Sequence, residues 1–275
     1  MKNKGFTLLE LLIVVAIVGV LAGVTVISFP LYAKKARLSN AIKFSDNLRG
    51  SLQQDMIAWW SFDETSGSVA KDSWWNQLNG TTTGATRVVG LKGNALSFDG
   101  NDYVSVPNSS FLNNYSGLTL EAWIKPSSNN VVGAIIHKYY TNCTLRQFLL
   151  RRESNNRIGF WMGYNNGASS YVIYTPANSL VLAENGWAHI VATWNKQKNT
   201  MKIYLNAKEV VSYTNATLSW TTNTACSLEI GRYSSNYFVG IIDEARIYSS
   251  ALVFSEIEKH YANGLKKHSN LLVER

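Results

Sequence analysis

Residues 187–195, Trp-Ala-His-Ile-Val-Ala-Thr-Trp-Asn (WAHIVATWN), carry the clearest structural signal in the chain. Successive side chains of a β-strand point to opposite faces of its sheet. In this stretch Ala188, Ile190, Ala192 and Trp194 fall on one face, which is strongly apolar. The stretch therefore predicts a strand that buries this face in a core.

The same period of two recurs from residue 56 to residue 248, in stretches rich in β-branched and aromatic residues and separated by Asn, Gly, Ser and Lys turns. The predicted strands are MIAWWSF (56–62), NALSFDG (94–100), DYVSVP (102–107), LTLEAWIKP (118–126), AIIHKYY (134–140), RQFLLRR (146–152), RIGFWMGY (157–164), WAHIVATWN (187–195), MKIYLNA (201–207), SLEIGRY (227–233) and VGIIDEARIY (239–248). About ten short strands with no helical pattern between them predict an antiparallel β-sandwich. A last helical pattern, SSALVFSEIEKHYANG (249–264), predicts a short helix capped by Ser255 and ended by Gly264.

The first 54 residues follow a helical pattern instead. Residues 11–33 carry no charge, and about 20 apolar residues suffice for a helix to span the hydrocarbon core of a membrane. An apolar stripe at helical spacing continues to residue 52. We expect one helix over residues 6–54, roughly 75 Å long and kinked at Pro30. Lys2 and Lys4 precede the span, which places the N-terminus in the cytoplasm and the rest of the chain outside.

Charge and cysteine content narrow the function classes. The net charge is +8, but the excess of Lys and Arg lies in residues 1–49 and 259–275, and residues 50–258 are neutral. A neutral globular part speaks against nucleic-acid binding. The two cysteines, Cys143 and Cys226, both lie in the exported part. We predict a disulfide between them; the alternative is two unpaired core residues.

Residues 4–24, KGFTLLELLIVVAIVGVLAGV, resemble the N-terminal motif of bacterial type IV pilins and type II secretion pseudopilins. The resemblance implies a leader peptide over residues 1–5, cleavage between Gly5 and Phe6 by a prepilin peptidase, and N-methylation of Phe6. It further implies that Glu10 pairs with the α-amino group of Phe6 in a neighbouring pilin or pseudopilin subunit, since a carboxylate within a membrane span needs a cationic partner. The alternative is a single-span anchor with a stray glutamate.

Residues 56–264 resemble the laminin-G-like, concanavalin A-like jelly-roll family. The matching stretches include GLKGNALSFDGNDYVSVP (90–107), LTLEAWIKP, GWAHIVATWN and VGIIDEARIYSSALVFSEIEKHYANG. By content the fold class is α+β and mainly β. We expect a long N-terminal helix over residues 6–54, a concanavalin A-like antiparallel sandwich with a short C-terminal helix over residues 55–264, and a basic tail over residues 265–275.

The residue pattern argues against catalysis. Retaining glycoside hydrolysis needs two carboxylates on one face about 5 Å apart. Glu121 is alone in its strand, and Asp243 and Glu244 are adjacent, so they should face opposite ways. The histidines show no zinc spacing. We therefore expect a protein that is not an enzyme.

A calcium site is the predicted cofactor site. The family resemblance implies that it would use Asp63, Asp72, Asn79 and Asp243, whose side chains carry the oxygen ligands that calcium prefers. The sequence departs from the family after Asp72, where two tryptophans stand in place of small residues. The alternative is that Asp63 and Asp243 close turns by hydrogen bonds.

The family resemblance implies binding of glycans most directly. Sugar-binding sites use exposed aromatic rings, which stack on the faces of the sugars. The candidate aromatic residues in and near the loops of the middle strands are Tyr139, Tyr140, Trp161, Tyr164, Tyr171 and Tyr174. The alternative is an ordinary aromatic-rich surface.

Together these features predict a pilin-like subunit, more suited to a minor than to a major position, that displays a sandwich for adhesion or recognition. It would cross the inner membrane once before assembly and then lie in an extracellular filament at the cell surface. A secretion pseudopilin that contacts cargo or the secretion channel is the second reading. A surface glycan-processing enzyme is the third.

Overall fold

A computed structural model gives the fold of the chain. It describes residues 8–9, 11–18, 55–113, 115–127, 131–139, 146–164, 168–182, 186–214 and 226–273. The chain divides into two compact units, Met1–Gln54 and Asp55–Arg275.

In the first unit, residues 8–9 and 11–18 are helical and their side chains are exposed. Among the residues described, no helix is both long enough and apolar enough to cross a membrane. Gly5, Phe6, Glu10 and residues 19–54 lie outside the described residues. The predictions of a leader peptide, an N-methylated Phe6, a pairing role for Glu10 and a kink in the helix therefore rest on the sequence alone.

The second unit is built from short strands. In chain order these are β1 (Met56–Trp60), β2 (Val69–Ala70), β3 (Gly80–Thr83), β4 (Thr86–Val89), β5 (Asn94–Asp99), β6 (Tyr103–Val106), β7 (Gly117–Pro126), β8 (Gly133–Tyr139), β9 (Arg146–Glu153), β10 (Arg157–Tyr164), β11 (Ser169–Tyr174), β12 (Ala188–Asn195), β13 (Thr200–Leu205), β14 (Lys208–Thr214), β15 (Leu228–Ile230), β16 (Arg232–Tyr233), β17 (Asn236–Tyr237) and β18 (Val239–Tyr248). A 3-10 helix, Ser110–Leu112, precedes β7, and an α-helix, Phe254–Val273, follows β18.

Two eight-stranded antiparallel sheets form the sandwich. Sheet 1 runs β14-β13-β12-β7-β18-β5-β4, with β1 also paired to β18, and sheet 2 runs β11-β10-β9-β8-β15-β6-β3-β2. Strands β16 and β17 form a separate hairpin. Strands far apart in sequence are neighbours, as in a jelly roll, and the predicted mainly-β fold class is confirmed.

The core lies between the two sheets, as the alternation in residues 187–195 predicts. Ile190, Ala192 and Trp194 of β12 are all fully buried in it. Other fully buried core side chains from both sheets are Trp60, Leu120, Ile124, Ile136, Phe148, Phe160 and Ile247. The positions between them point to the outer faces of the sheets, and these outer faces carry the polar groups described below.

Two strand predictions need correction. Residues 227–233 form two strands instead of one, because Gly231 adopts a left-handed conformation (φ 89°) and breaks the strand between β15 and β16. The sequence pattern also misses β2, β3, β4, β11, β14 and β17. Several of these lie at sheet edges, where strands bury little apolar surface.

The C-terminal helix is also longer than predicted. It begins at Phe254, and it continues through Gly264 to Val273. A Cβ atom on Gly264 would lie 2.4 Å from Cζ2 of Trp123. The glycine is therefore explained by close packing of the helix on sheet 1, and not by a helix end.

Candidate functional site

A buried group of charges lies on the outer face of sheet 1, beneath the C-terminal helix. Glu121 of β7 is fully buried. Its Oε1 lies 2.9 Å from Nε2 of His189 and accepts a hydrogen bond of 2.8 Å from Arg246. Its Oε2 lies 2.9 Å from Nδ1 of His260 on the helix. Arg246 also pairs with Glu244.

These contacts fix the charge states of the group. Burial alone would raise the pKa of Glu121, but the charges of His260 and Arg246 and the hydrogen bonds from His189 and His260 outweigh it and hold that pKa well below its usual value. Burial lowers the pKa of His189, although the hydrogen bond to Glu121 partly opposes it. Glu121 is thus an ionised carboxylate held by Arg246 and two histidines, and it has no exposed surface for a substrate.

Sequence reasoning missed this group for two reasons. Glu121 stands alone in its own strand, but its partners come from residues 68, 125 and 139 positions away. In addition, a β-bulge lies between Asp243 and Arg246, and Glu244 has a positive φ of 52°. The expectation that Asp243 and Glu244 simply face opposite ways is therefore wrong, since the bulge breaks the alternation.

Of the four predicted calcium ligands, Asp72 and Asn79 lie in one loop. The carboxylate of Asp72 accepts four backbone N–H groups: Oδ1 from Trp59 and Trp74, and Oδ2 from Gln77 and Leu78. The side-chain oxygen of Asn79 accepts the N–H of Asp72. Asp72 is thereby saturated as an acceptor, and it does not fit the role of a calcium ligand.

Asp63 and Asp243 lie against a different segment, the turn at residues 90–94. Oδ1 of Asp63 accepts from the N–H of Asn94 at 3.1 Å, and Oδ2 of Asp243 accepts from the N–H of Leu91 at 2.8 Å. Within the described part of the chain, no three His, Cys, Asp or Glu side chains are grouped to hold a metal. Of the four predicted ligands, Asp63 and Asp243 therefore remain as candidate carboxylates for a hard cation at this turn.

Asp243 has an unusual charge state. Burial, together with the nearby charge of Glu244, raises its pKa to about 8, although the N–H groups of Leu91 and Glu244 oppose the shift. In the absence of a cation its carboxyl group is therefore protonated at neutral pH.

The predicted aromatic residues fall into two groups. Trp161 of β10 lies on the outer face of sheet 2, packed with Ala134 and Leu149, and is only 9% exposed. Tyr174 of β11 meets it edge-on, with ring centroids 5.3 Å apart. The guanidinium of Arg151 lies 4.7 Å from the ring centroid of Trp161, and that of Arg157 lies 4.4 Å from that of Tyr174.

The second group lies where the edge strands of the two sheets approach each other. The rings of Tyr164 and Tyr171 pack against the core and are tilted by 34° to each other, with centroids 4.6 Å apart. The ring centroid of Tyr171 lies 6.1 Å from that of Tyr213 on β14. Tyr171 and Trp161 belong to opposite faces of sheet 2, because Tyr171 pairs with the core residue Met162. The four predicted sugar-binding aromatics whose side chains the structure describes are thus not brought together on one surface.

The structure describes three other predicted residues only in part or not at all: Tyr139, Tyr140 and Cys143. Tyr139 ends β8, but its side chain is not described, and Tyr140 lies outside the described residues. Cys226 is disulfide-bonded and 2% exposed. Cys143, its predicted partner, lies outside the described residues.

The chain is similar to pilins and fimbrial proteins. Residues 1–26 match the prokaryotic N-terminal methylation motif. The chain is 39% identical over 73 residues to the type IV major pilin protein PilE of Neisseria gonorrhoeae. This alignment covers 26% of this chain and 44% of the relative. The chain thus spans less than half the length of that relative. A probable minor fimbrial protein of Dichelobacter nodosus is 23% identical over 171 residues, covering 62% of this chain and 92% of the relative.

Similar solved structures show the fold of the second unit. The binding domain of Paraclostridial Mosquitocidal Protein 1 superposes with a TM-score of 0.61 at 20% identity, covering 76% of this chain and 52% of that one. Domain 4 of AbnA, an extracellular arabinanase of Geobacillus stearothermophilus solved in complex with arabinotriose, gives a TM-score of 0.58 at 22% identity, covering 74% of this chain and 97% of that one. The sequence model of the Laminin_G_3 family matches residues 98–258, more than half of the chain, and the chain therefore belongs to the concanavalin A-like lectin/glucanases superfamily.

Proposed function

We propose that this chain is a minor pilin-like subunit of a type IV pilus or a related filament, and that it displays its sandwich at the cell surface for recognition. The observation that carries the proposal is the presence of both parts in one chain, a methylation motif at residues 1–26 and a lectin-like domain at residues 98–258. The minor fimbrial relative supports it, because that alignment of 171 residues is longer than the whole first unit of 54 residues.

Assembly would proceed through the N-terminal segment. A prepilin peptidase would cleave between Gly5 and Phe6 and leave Phe6 with a methylated α-amino group. Glu10 would pair with that group in the adjacent subunit while both lie in the membrane, where an unpaired carboxylate is costly. Other pilin or pseudopilin subunits are therefore the expected partners, and the inner membrane is the expected place of assembly.

Recognition without catalysis is the role that the sandwich supports best. The carboxylate of Glu121 is fully buried and held by two histidines and an arginine. A domain of the same fold has been solved with arabinotriose bound, which supports a glycan as the class of ligand. Release of sugars from a panel of polysaccharides would overturn this part of the proposal.

The experiment compares filaments from cells that make the native chain, Glu10→Ala and Glu10→Asp. Immunogold labelling of the sandwich should decorate surface filaments for the native chain, and Glu10→Ala should leave processed subunits in the membrane. Glu10→Asp, which keeps the charge, should assemble better than Glu10→Ala. Label confined to the cell envelope, with native secretion of proteins lost on deletion, would favour the secretion pseudopilin instead. Unchanged filaments in Glu10→Ala would contradict the proposed pairing.

A further inference from the structure

A groove of about 450 Å³ with both polar and apolar lining residues lies on the outer face of sheet 1, between strands β12–β14 and the segment that leads into the C-terminal helix. Volumes of roughly 300–1,000 Å³ are typical of small-molecule sites. None of the aromatic residues singled out from the sequence lines this groove. It is also separate from the buried Glu121 group, none of whose members line it.

Four of the six side chains in two rows across the floor of the groove are short hydroxyls. Thr193 pairs with Lys202, and Lys202 pairs with Ser212, so the three form one row across β12, β13 and β14. Asn195, Thr200 and Thr214 form the next row in the same way. A hydroxyl group both donates and accepts hydrogen bonds, and a sheet face made of such groups is suited to a ligand whose own groups do both.

One wall of the groove is aromatic and exposed. Phe254, the first residue of the C-terminal helix, stacks on Tyr204 of β13, with ring centroids 6.2 Å apart and planes tilted by 29°. Phe254 is 46% exposed and its neighbour Val253 is 50% exposed, while Tyr204 is only 4% exposed. Tyr204 therefore holds Phe254 in place, and the remaining surface of the Phe254 ring is open to the groove and to solvent.

The charges in the groove are nearly balanced. Nζ of Lys202 lies 2.8 Å from Oε2 of Glu209 across the β13–β14 pair, and Lys198 adds one further positive charge to the lining. A groove that selects an anionic ligand is expected to carry a larger excess of positive charge. The paired Lys202 and Glu209 instead offer one donor and one acceptor group that are held in position.

From this combination we propose that the groove binds a glycan, with sugar hydroxyls on Ser212 and Thr214, the exposed ends of the two rows, and one sugar face on Phe254. The inference rests on the proposed function, since it names where the displayed sandwich would recognise its ligand. Sugars have hydroxyl groups that donate and accept and C–H faces that are apolar, so they match both the floor and the wall. A bound peptide would mainly use backbone groups of the β14 edge and would depend little on the floor hydroxyls.

The test uses the full-length chain in detergent on a printed array of neutral and acidic glycans. Two variants alter the groove: Phe254→Ala removes the wall, and Ser212→Tyr fills the floor with a residue that suits a strand. Two matched controls make the same changes elsewhere: Phe111→Ala at a phenylalanine that is 57% exposed, and Thr86→Tyr on the exposed edge strand β4. Phe254→Ala removes the aromatic face that the sugar would cover. It should weaken binding of the glycan that the native chain binds most tightly by about tenfold or more.

The outcomes separate the two proposals. Binding by the native chain and both controls, with loss in both groove variants, supports the groove. Binding that is equal in all five proteins overturns the groove and leaves glycan recognition standing. No glycan binding by the native chain, with filaments still decorated in the immunogold experiment, overturns glycan recognition and the groove together while the filament role stands. Loss of filament incorporation by the groove variants, with array binding unchanged, would make the groove a contact between subunits and overturn the proposal.

Discussion

Nδ1 of His260 lies 2.9 Å from Oε2 of Glu121, so a side chain of the C-terminal helix is joined to a fully buried carboxylate of strand β7. The two residues are 139 positions apart in the chain. On the same helix, Tyr261 stacks on Trp123 with ring centroids 5.6 Å apart. The helix is therefore packed firmly on sheet 1, where this polar contact and this aromatic contact lie side by side.

Replacing His260 with alanine should destabilise the sandwich. The change leaves one oxygen of a buried carboxylate without its partner, and an unsatisfied buried group costs about 1–3 kcal/mol. We expect a lower melting temperature by tryptophan fluorescence and earlier proteolysis within the helix. Glu258→Ala is the matched control, because Glu258 is exposed on the same helix and such changes usually stay within about 0.5 kcal/mol. Equal melting temperatures for His260→Ala and Glu258→Ala would show that the contact contributes nothing.

Stability should fall as pH decreases from 6.5 to 5. His137 and His189 are fully buried, and burial lowers the pKa of each in the folded protein. The unfolded chain takes up protons at these groups below about pH 6.5, while the folded chain does not. The stability that their neutral forms contribute is therefore complete above that pH and is lost as the pH falls. The measurement uses Asp243→Asn, because the raised pKa of Asp243 gives the native chain an opposing dependence in the same range. A melting temperature of Asp243→Asn that stays constant between pH 6.5 and pH 5 would contradict this assignment of charge states.

The sequence predicts local structure well, but it does not predict contacts between residues that lie far apart in the chain. The alternation in residues 187–195 correctly predicts strand β12 and its buried face, because burial of alternate side chains is a local property. Alternation does not say which strands will be neighbours, so it could not reveal that Glu121, His189 and His260 meet. In the same way, the two predicted aromatic residues Trp161 and Tyr171 fall on opposite faces of sheet 2, because the pairing of β10 with β11 fixes their direction.

Asp243 should produce the opposite dependence on pH. Its pKa is raised to about 8 in the folded protein, against about 3.9 in an unfolded chain. The stability contributed by its protonated form is thus complete below the unfolded value and is lost as the pH rises through about 8. With a chelator present, the melting temperature of the native chain should fall between pH 6.5 and pH 8, and that of Asp243→Asn should not. A parallel decline in both proteins would show that another group is responsible.

Calcium should act through the same residue. If a calcium ion binds at Asp63 and Asp243, it must displace the proton of Asp243, so the ion competes with protons. We expect added calcium to raise the melting temperature of the native chain more at pH 8 than at pH 6, and to have little effect on Asp243→Asn. Asp63→Asn should weaken the response, while Lys71→Ala, at an exposed position, should leave it unchanged. A calcium response that is absent at pH 8, or that survives in Asp243→Asn, would contradict calcium binding at this turn.

Gly264→Ala should destabilise the protein even though alanine favours helices. In an exposed helix interior this exchange would gain about 1 kcal/mol. At this position the new Cβ would lie 2.4 Å from Cζ2 and 2.7 Å from Cε2 of Trp123, a side chain that is 1% exposed and cannot easily move away. Overpacking of this kind costs about 1–3 kcal/mol, so the packing loss outweighs the gain in helix propensity. Asn263→Ala, one residue earlier and exposed, receives the propensity gain without the clash. We expect the melting temperature to fall for Gly264→Ala and to stay level or rise for Asn263→Ala; a rise in both would mean that the helix does not pack closely on Trp123.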